Sequence, residues 1–282
     1  MSFTTFNKEV WATSIQGLLE NASAANAIAN RSVVPSDAGD KFHILGVSDV
    51  SVSAYSQGTP LTYADPTGTD TEFTFQVDNV VPIVAYDKDI MQASTDWQMT
   101  YADRAGYKLR DAFDALVFGD HATWTANNYE TGTTEWTVGA DASQIPNLFS
   151  SVVAQMDGLN LPQEGRYIVL PPAMRQAVNL WASSKGSVFG DAVSISGFAG
   201  NLFGLDVYIS NNLTTATNVT HCPAGVKGWG IATADLISPE SVEVIRDKDE
   251  FANFIRTRHV AGYKTYKGAE ILDVNVSDVP LA

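Results

Sequence analysis

Histidine and cysteine side chains are the groups of this chain that are best suited to bind a metal ion. The four histidines, His43, His121, His221 and His259, are widely spaced, and none lies in an H-E-x-x-H motif or in a Cys/His pair with zinc-finger spacing. His221 precedes the single cysteine, Cys222, but two adjacent ligands without a third do not define a site. We therefore expect no metal site.

The motifs of nucleophilic and nucleotide chemistry are missing as well. The sequence contains neither G-x-S-x-G nor G-x-x-x-x-G-K-[ST]. Gly197, Gly200 and Gly204 have the wrong intervals for a dinucleotide-binding turn, and we interpret them as a glycine-rich link into a strand. Asp247 and Asp249 lie in a charged stretch typical of a solvated loop. The sequence therefore predicts no catalytic residue and no cofactor, and a protein that is not an enzyme.

Composition narrows the class of protein further. The chain has 282 residues, 45% of them hydrophobic, which is enough for one or two cores. Its net charge of −15 argues against a protein whose main task is to grip nucleic acid, because phosphate binding requires clustered Lys and Arg. The start of the chain lacks the pattern of a signal peptide, and no run of about 18 apolar residues occurs. We expect a protein that is soluble and cytosolic when made, without a membrane partner.

One long amphipathic helix is predicted over residues 89–118, with Gly106 as its only internal glycine and no proline. Thirty residues at about 1.5 Å each would give a rod of ~45 Å, long enough to cross the whole molecule. Judged alone, the line of apolar residues along one side of this helix is typical of a helix packed on a core. Its apolar positions are Ile90, Ala93, Trp97, Tyr101, Ala105, Leu109, Ala112, Phe113 and Leu116.

A hairpin is predicted immediately before this helix, over residues 45–80. Alternating apolar residues predict strands near 50–54 and 73–77, joined by a long polar loop at 56–69. The segment contains five acidic residues and neither lysine nor arginine. Because an isolated two-stranded ribbon is marginally stable in water, something must support it. It is either an edge hairpin folded onto its own domain or an arm that lies on a neighbouring copy of the chain.

The remaining segments predict a mixed α+β protein. Residues 8–29 have the pattern of a weak helix, and residues 120–144 are interpreted as a surface insertion because their aromatic residues are not periodic. Helices are predicted at 145–157 and 171–182, and strands at 167–170, 205–210, 230–232, 242–245, 254–266 and 269–276.

Several stretches, in their order and spacing, resemble the major capsid proteins of tailed phages, the family with the Hong Kong 97 phage capsid fold. The resemblance extends over most of the chain, from the first of these stretches to the last. The stretches are IANRSVV at 28–34, GDKFHI at 39–44, QASTDWQMTYADRAGYKLRDAFD at 92–114, LNLPQEGRYIVLPP at 159–172, GLDVYISNNL at 204–213 and FANFIRTRHVAGYKTYKGAEIL at 251–272.

This resemblance implies an α+β subunit with the following parts. The expected divisions are an N-terminal arm at 1–38, an extended hairpin loop at 39–82, a peripheral domain with the spine helix and an insertion at 83–144, an axial domain at 145–234, and peripheral-domain strands at 235–282.

The resemblance also implies a function and partners. Copies of the chain would form the hexamers and pentamers of an icosahedral shell, assembled in the host cytoplasm as the virion capsid. A separate scaffolding protein, a portal protein and enclosed double-stranded DNA, held without sequence specificity, would be partners, and there is room for a decoration protein. The residues expected to contact another subunit are Tyr55, Leu61, Tyr63, Asp65, Asp70 and Glu72. The residues expected to contact DNA from the inner face are Arg104, Lys108 and Arg110.

Two departures limit what the resemblance implies. Some members form covalent links through a lysine on the extended loop, but residues 45–80 contain none, so we expect no such link. Other members begin with a long scaffolding segment, whereas about 35 residues precede the loop here, which is why the scaffold is expected to be a separate protein. The alternatives are an encapsulin-like bacterial nanocompartment shell, which shares the fold but packages an enzyme, and a secreted β-rich adhesin or binding protein.

Overall fold

The fold was analysed in a computed structural model of the chain. It describes residues 23–31, 41–47, 50, 52–58, 60–61, 63, 65, 68–92, 97–126, 136–137, 145–184, 200–216, 218–238, 242–246 and 248–277. Most of the helix predicted at 8–29 lies outside these ranges, and its described part is the short helix Ala24–Ile28.

The described residues form five α-helices and fourteen strands. The helices are α1 (Ala24–Ile28), α2 (Asp87–Gln92), α3 (Trp97–Phe118), α4 (Ile145–Gly158) and α5 (Pro172–Ser184). The strands are β1 (Lys41–Val47), β2 (Gly68–Thr74), β3 (Val77–Tyr86), β4 (Thr125–Ala126), β5 (Trp136–Thr137), β6 (Arg166–Leu170), β7 (Asn201–Leu202), β8 (Leu205–Ile209), β9 (Thr215–Ala216), β10 (Val219–Val226), β11 (Ile231–Ile237), β12 (Val242–Arg246), β13 (Ala252–Thr265) and β14 (Leu272–Ser277).

The predicted hairpin is present, but its first strand was placed wrongly. β1 pairs antiparallel with β2, in a register that sets Lys41 opposite Thr74 and Val47 opposite Gly68. Residues 50 and 52–55, where the first strand was predicted, are exposed and outside any strand. Alternation alone cannot choose between the two segments, since a strand also needs a partner edge, and β1 already occupies this edge of β2.

The predicted long helix is described in two parts, α2 and α3, and residues 93–96 between them lie outside the described ranges. α3 alone spans 22 residues, or ~33 Å. Its buried face contains Ala105, Leu109, Phe113 and Val117, whereas Tyr101 and Leu116, which were predicted to share that face, are exposed. No helix in the described part of the chain is both long and apolar enough to cross a membrane.

A sheet of four strands, β3, β11, β12 and β13, is built around β13 and is named the peripheral sheet here. β3 pairs antiparallel with one edge of this strand, from Ala252 to Ala261, while β12 and then β11 pair with the opposite edge. Alternate β3 residues are shielded from solvent: Val77 and Ala85 are buried, and the alternate residues between them are partly buried. α3 packs against the sheet on this side, where the Phe113 ring meets the edge of His259 at 5.2 Å. The sheet thus has one face covered by the helix and one face open.

The largest sheet, named the axial sheet here, has the strand order β4-β14-β10-β6-β8-β7. In addition, β5 pairs with β14 and β9 pairs with β10. All five residues of β6 are buried, which is typical of a central strand covered on both faces. Arg166 begins this strand and is itself buried, donating hydrogen bonds to Asp157 at 2.6 Å and to the carbonyls of Leu161 and Pro162 at 2.8 Å. Strands β6 and β8 and helices α4 and α5 confirm the predictions for this region.

The prediction of a surface insertion at 120–144 is wrong for Trp124, and the described residues 125–126 and 136–137 pair with a strand of the axial sheet. Trp124 is buried in the main core, and the short strands β4 and β5 both add to β14 in parallel. The Thr125 amide donates to the Ile271 carbonyl at 2.9 Å. A single inward aromatic residue among polar neighbours has no periodicity, so the sequence carried no sign of its burial.

Helix α1 is held on α3 by a buried carboxylate. Asp114 accepts hydrogen bonds from the Ser23 hydroxyl at 2.6 Å and from the Ala24 amide at 2.9 Å, so it satisfies donors at the start of α1. Burial raises the pKa of Asp114, and the hydrogen bonds from Ser23 and from the backbone partly oppose that rise. Beyond α1, the Asn30 amide donates to the Ile231 carbonyl at 2.8 Å, which extends the attachment to β11.

We predict that Asp114→Ala lowers the free energy of unfolding of the unassembled subunit by about 1–3 kcal/mol, because it leaves buried donors of α1 without an acceptor. Asp114→Asn retains one acceptor oxygen and should cost less. Since the folded pKa is raised, the protonated side chain of Asp114 favours the folded state, and this contribution is full below its unfolded pKa of about 3.9 and is lost as pH rises through its folded pKa.

Urea unfolding of the three proteins as a function of pH measures both effects. The fall in stability with rising pH should be smaller in Asp114→Asn, which cannot ionise. Unfolding of Asp114→Ala at the same urea concentration as the parent would contradict the role of Asp114 as the acceptor for the Ser23 hydroxyl and the Ala24 amide.

Candidate subunit-contact surfaces

The described residues beyond the β1–β2 pair carry large apolar side chains in contact with solvent. Tyr55, Leu61 and Tyr63 are 68%, 60% and 86% exposed, and Val52 is 98% exposed. Scattered exposed apolar residues are ordinary, but a run of them on one extension is typical of a surface that another molecule covers. These three predicted contact residues are therefore accessible for contact with a neighbour.

The acidic residues of the hairpin are also at the surface, but they do not share one environment. Asp65 and Glu72 are exposed. Asp70 lies within 2.8–2.9 Å of the His43 ring nitrogen Nδ1, across the β1–β2 pair. The sequence did not predict this pair, in which Asp70 helps to hold the two strands of the hairpin together.

The open face of the peripheral sheet combines apolar residues with paired charges. Val80, Val84 and Tyr86 point outward from β3 and are 42–49% exposed. Arg258 of β13 donates two hydrogen bonds to Asp78, at 2.8 and 2.6 Å, and Arg256 donates to Glu243 at 2.8 Å. Hydrogen bonds from the two arginines lower the pKa values of Asp78 and Glu243, so both pairs stay charged at neutral pH.

A groove of about 550 Å³ runs between these two ion pairs. Its walls combine both charge pairs with aliphatic side chains, so it offers apolar contact and hydrogen-bond donors together. A guanidinium group has five N–H donors, and the bonds described here use those on Nε and Nη2. The lining residues are Asp78, Val80, Ile237, Val242, Glu243, Arg256 and Arg258.

The basic residues predicted to face DNA do not form one cluster on α3. Arg104 and Lys108 are exposed and lie four residues apart, so they share a face of the helix. Arg110 is half-buried, with its guanidinium carbon 5.8 Å from the centre of the Tyr107 ring, and helical geometry places it on another side. Lys108 Nζ is 3.5 Å from Asp111, so acidic neighbours dilute the positive charge of this face.

Two partly buried histidine–aspartate pairs join distant strands that sequence reasoning did not connect. His221 Nδ1 lies 2.8 Å from Asp273, and the His221 ring stacks on His121 with 3.9 Å between ring centres. His259 Nε2 lies 2.9 Å from Asp235 across the β11–β13 pair. The partners are separated by 52 and 24 residues in the chain, so no local motif indicated them.

The second pair extends to the N-terminal segment, because Asp235 also accepts a hydrogen bond from Arg31 at 2.7 Å. Burial raises the pKa of Asp235, but the hydrogen bond from His259 and the charges of His259 and Arg31 outweigh it, and the net shift is downward. Cys222, adjacent to His221, is buried. Within the described ranges, no three or more His, Cys, Asp or Glu side chains are grouped so that they could hold a metal ion.

The sequence matches a protein-family model described as "Phage capsid protein" over residues 83–271, about two thirds of the chain. This range contains α3, the strands of the axial sheet other than β14, and most of the peripheral sheet. A comparison with curated proteins finds no match.

Solved capsid structures have the same fold over nearly the whole chain. A structure from Mycobacterium phage Che8 is 22% identical, covers 98% of each chain and has a TM-score of 0.78. The capsid of the cyanophage P-SCSP1u is 17% identical, covers 98% of this chain and 94% of its own, and has a TM-score of 0.71. The capsid of Ralstonia phage GP4 is 10% identical, covers 100% and 98%, and has a TM-score of 0.70. The chain therefore belongs to the phage capsid protein family, with the Hong Kong 97 phage capsid fold, and is a major capsid protein.

Proposed function

We propose that copies of this subunit assemble into the hexamers and pentamers of a closed icosahedral shell that encloses the double-stranded DNA of a tailed phage. The observation that carries the proposal is the hairpin, whose exposed Tyr55, Leu61 and Tyr63 extend a surface suited to contact with a neighbour. Its role is mechanical rather than enzymatic. Assembly takes place in the host cytoplasm on a separate scaffolding protein, with a portal protein at one vertex and with room for a decoration protein.

The hairpin of one copy lies across the open face of the peripheral sheet of the next copy. The hairpin carries acidic residues, including Asp65 and Glu72, and its segment 45–80 contains no lysine or arginine. Arg256 and Arg258 offer further N–H donors along the groove of the sheet, and Val80 offers apolar surface beside them. Complementary charge of this kind sets the orientation of a contact more than its strength.

Strand edges provide a second kind of contact. The exposed edge of a strand can pair with an extended segment of another chain, and main-chain hydrogen bonds then join the two. Each such contact is weak, but a closed ring repeats it at every subunit, and the repeated contacts stabilise the shell together.

Deletion of residues 56–69 should leave folded, soluble subunits that no longer close shells. The described residues of this loop are exposed, so its loss removes contact surface without removing core. Negative-stain microscopy of the expressed protein measures the outcome, and normal closed particles formed by the deletion variant would refute the arm function of the hairpin.

The full-length chain is the control, expressed alone and together with its genomic neighbours. Closure only in the presence of the neighbours supports a separate scaffolding protein, whereas uniform closed particles from the chain alone count against one. Thermal unfolding of the deletion variant, compared with the full-length subunit, shows that the loss of shells does not result from a loss of folding.

Residues 45–80 of the extended loop form no covalent link to a neighbouring subunit, because this segment has no lysine to supply the amine. Mature particles boiled in detergent and reducing agent should therefore migrate on a denaturing gel as a single band near 30.3 kDa. A persistent ladder of dimers and higher multiples would refute this.

DNA is held chiefly by confinement, with weak contact from the described basic residues of α3. A net charge of −15 per subunit opposes tight binding of phosphate, and Arg104 and Lys108 are close to acidic neighbours. We predict that Arg104→Gln together with Lys108→Gln leaves closed particles that still contain DNA of full length, because two weak contacts per subunit are not what retains the genome.

Extraction of nucleic acid from purified particles of both proteins measures this outcome and also separates the phage shell from a nanocompartment. Particles of the parent protein that contain an enzyme and no DNA would support the encapsulin-like alternative. If particles of the double variant were empty while those of the parent protein contained DNA, these two contacts would retain the genome and the prediction would be wrong.

A further inference from the structure

The base of the hairpin is seated in a small hydrophobic cluster of its own. Phe73, near the end of β2, is 0% exposed and packs with Ala232 and Ala234 of β11, apart from the main core. Its ring meets Phe75 edge to face, with 5.9 Å between ring centres. This cluster, the hairpin socket, is completed at its margin by the partly buried Ile44 and Tyr266.

Gly262 of β13 forms the wall of the hairpin socket against which Phe73 rests. A Cβ atom at position 262 would lie 2.5 Å from Phe73 Cε1 and 2.5 Å from the carbonyl oxygen of Thr74. Both distances are far below van der Waals contact. The phenyl ring could turn away, but the carbonyl belongs to the backbone of β2, so any larger side chain at 262 must displace the strand itself.

A short connection joins the hairpin to the first strand of the peripheral sheet, β3. Phe75 and Gln76 separate β2 from β3, and Gln76 Nε2 donates to the Tyr263 carbonyl at 3.2 Å, next to Gly262. Gly262 lies opposite Ala234 in the β11–β13 register, so small residues on both strands form the floor beneath Phe73. The direction of β2 is thus set where the backbone of β13 approaches it most closely.

We infer that the hairpin socket, through the contact of Gly262 with Phe73 and Thr74, sets the direction in which the hairpin leaves the subunit and thereby the curvature of the shell. The inference rests on the proposed function of the hairpin as the arm between copies. β2 is seven residues, or ~20 Å, long, so a tilt of about 10° at its base moves its far end by roughly 3 Å. A displacement of this size is larger than a specific contact tolerates, and it is repeated at every subunit.

Gly262→Ala tests the inference. The substitution should shift the distance between spin labels placed at Tyr63→Cys in the extension and Leu159→Cys in the axial domain, both of which are exposed positions. It should also reduce closed particles of normal diameter by on the order of tenfold, because the misfit recurs around each ring. The label distance is measured on unassembled subunits by pulsed electron paramagnetic resonance, and particle diameter by electron microscopy.

Gly158→Ala and Gly119→Ala are matched controls, because a Cβ at either position meets no atom within 4 Å. They should leave distance and diameter unchanged. An unchanged label distance in Gly262→Ala, or a shifted distance with particles of normal diameter and yield, would overturn the inference.

Phe73→Leu decides the question if Gly262→Ala does not fold. Leucine keeps the site apolar but removes the ring edge, so the label distance should broaden and particles should vary in diameter. Uniform particles of normal diameter from Phe73→Leu would overturn the inference. A parent chain that forms no particles would count against the proposed function, whereas the label distance in unassembled subunits still tests the socket.

Discussion

The pairing of β3 with β13 is the interaction on which the other parts of the subunit depend. β3 follows the hairpin and precedes the helices α2 and α3, whereas β13 lies near the end of the chain, so the pairing joins segments about 170 residues apart. The opposite edge of β13 holds β11, to which the N-terminal segment is attached through Asn30. A pairing over such a distance forms only when most of the chain is available. Once formed, it fixes the positions of the hairpin, of helix α3 and of the N-terminal segment together.

The charges of the subunit are arranged so that its surfaces can meet copies of themselves. A net charge of −15 opposes close approach of subunits. On the open face of the peripheral sheet, Asp78 and Glu243 are neutralised by Arg258 and Arg256, and Arg246 pairs with Asp87 beside it. Such exposed pairs add little to the stability of the fold. They reduce repulsion and leave directed donors, which favours one orientation of a neighbour over others.

Local patterns predicted α4, β6, α5 and β8 well, because these elements have clear starts and stops, whereas the strand β10 (Val219–Val226) was not predicted. Pro172 begins α5 and Gly158 ends α4, and both helices and the strand β6 appear within one or two residues of their predicted bounds. The hairpin shows where this reasoning fails. Residues 50–54 alternate as a strand would, yet β1 forms at Lys41–Val47, since pairing with β2 decides the strand. The prediction that Trp124 lies in a surface insertion failed for a related reason, because a single buried aromatic residue produces no periodic pattern in the sequence.

The sequence alone determined the α+β class, the acidic character, the absence of lysine from residues 45–80 and, through the order of several stretches, the resemblance to phage capsid proteins. These properties follow from composition, short-range periodicity and order along the chain. The tertiary structure decided which residues meet: Asp114 with α1, Arg258 with Asp78, and Gly262 with Phe73. These partners are 90, 180 and 189 residues apart, and only the pairing and packing of distant strands and helices bring them within a few ångströms of one another.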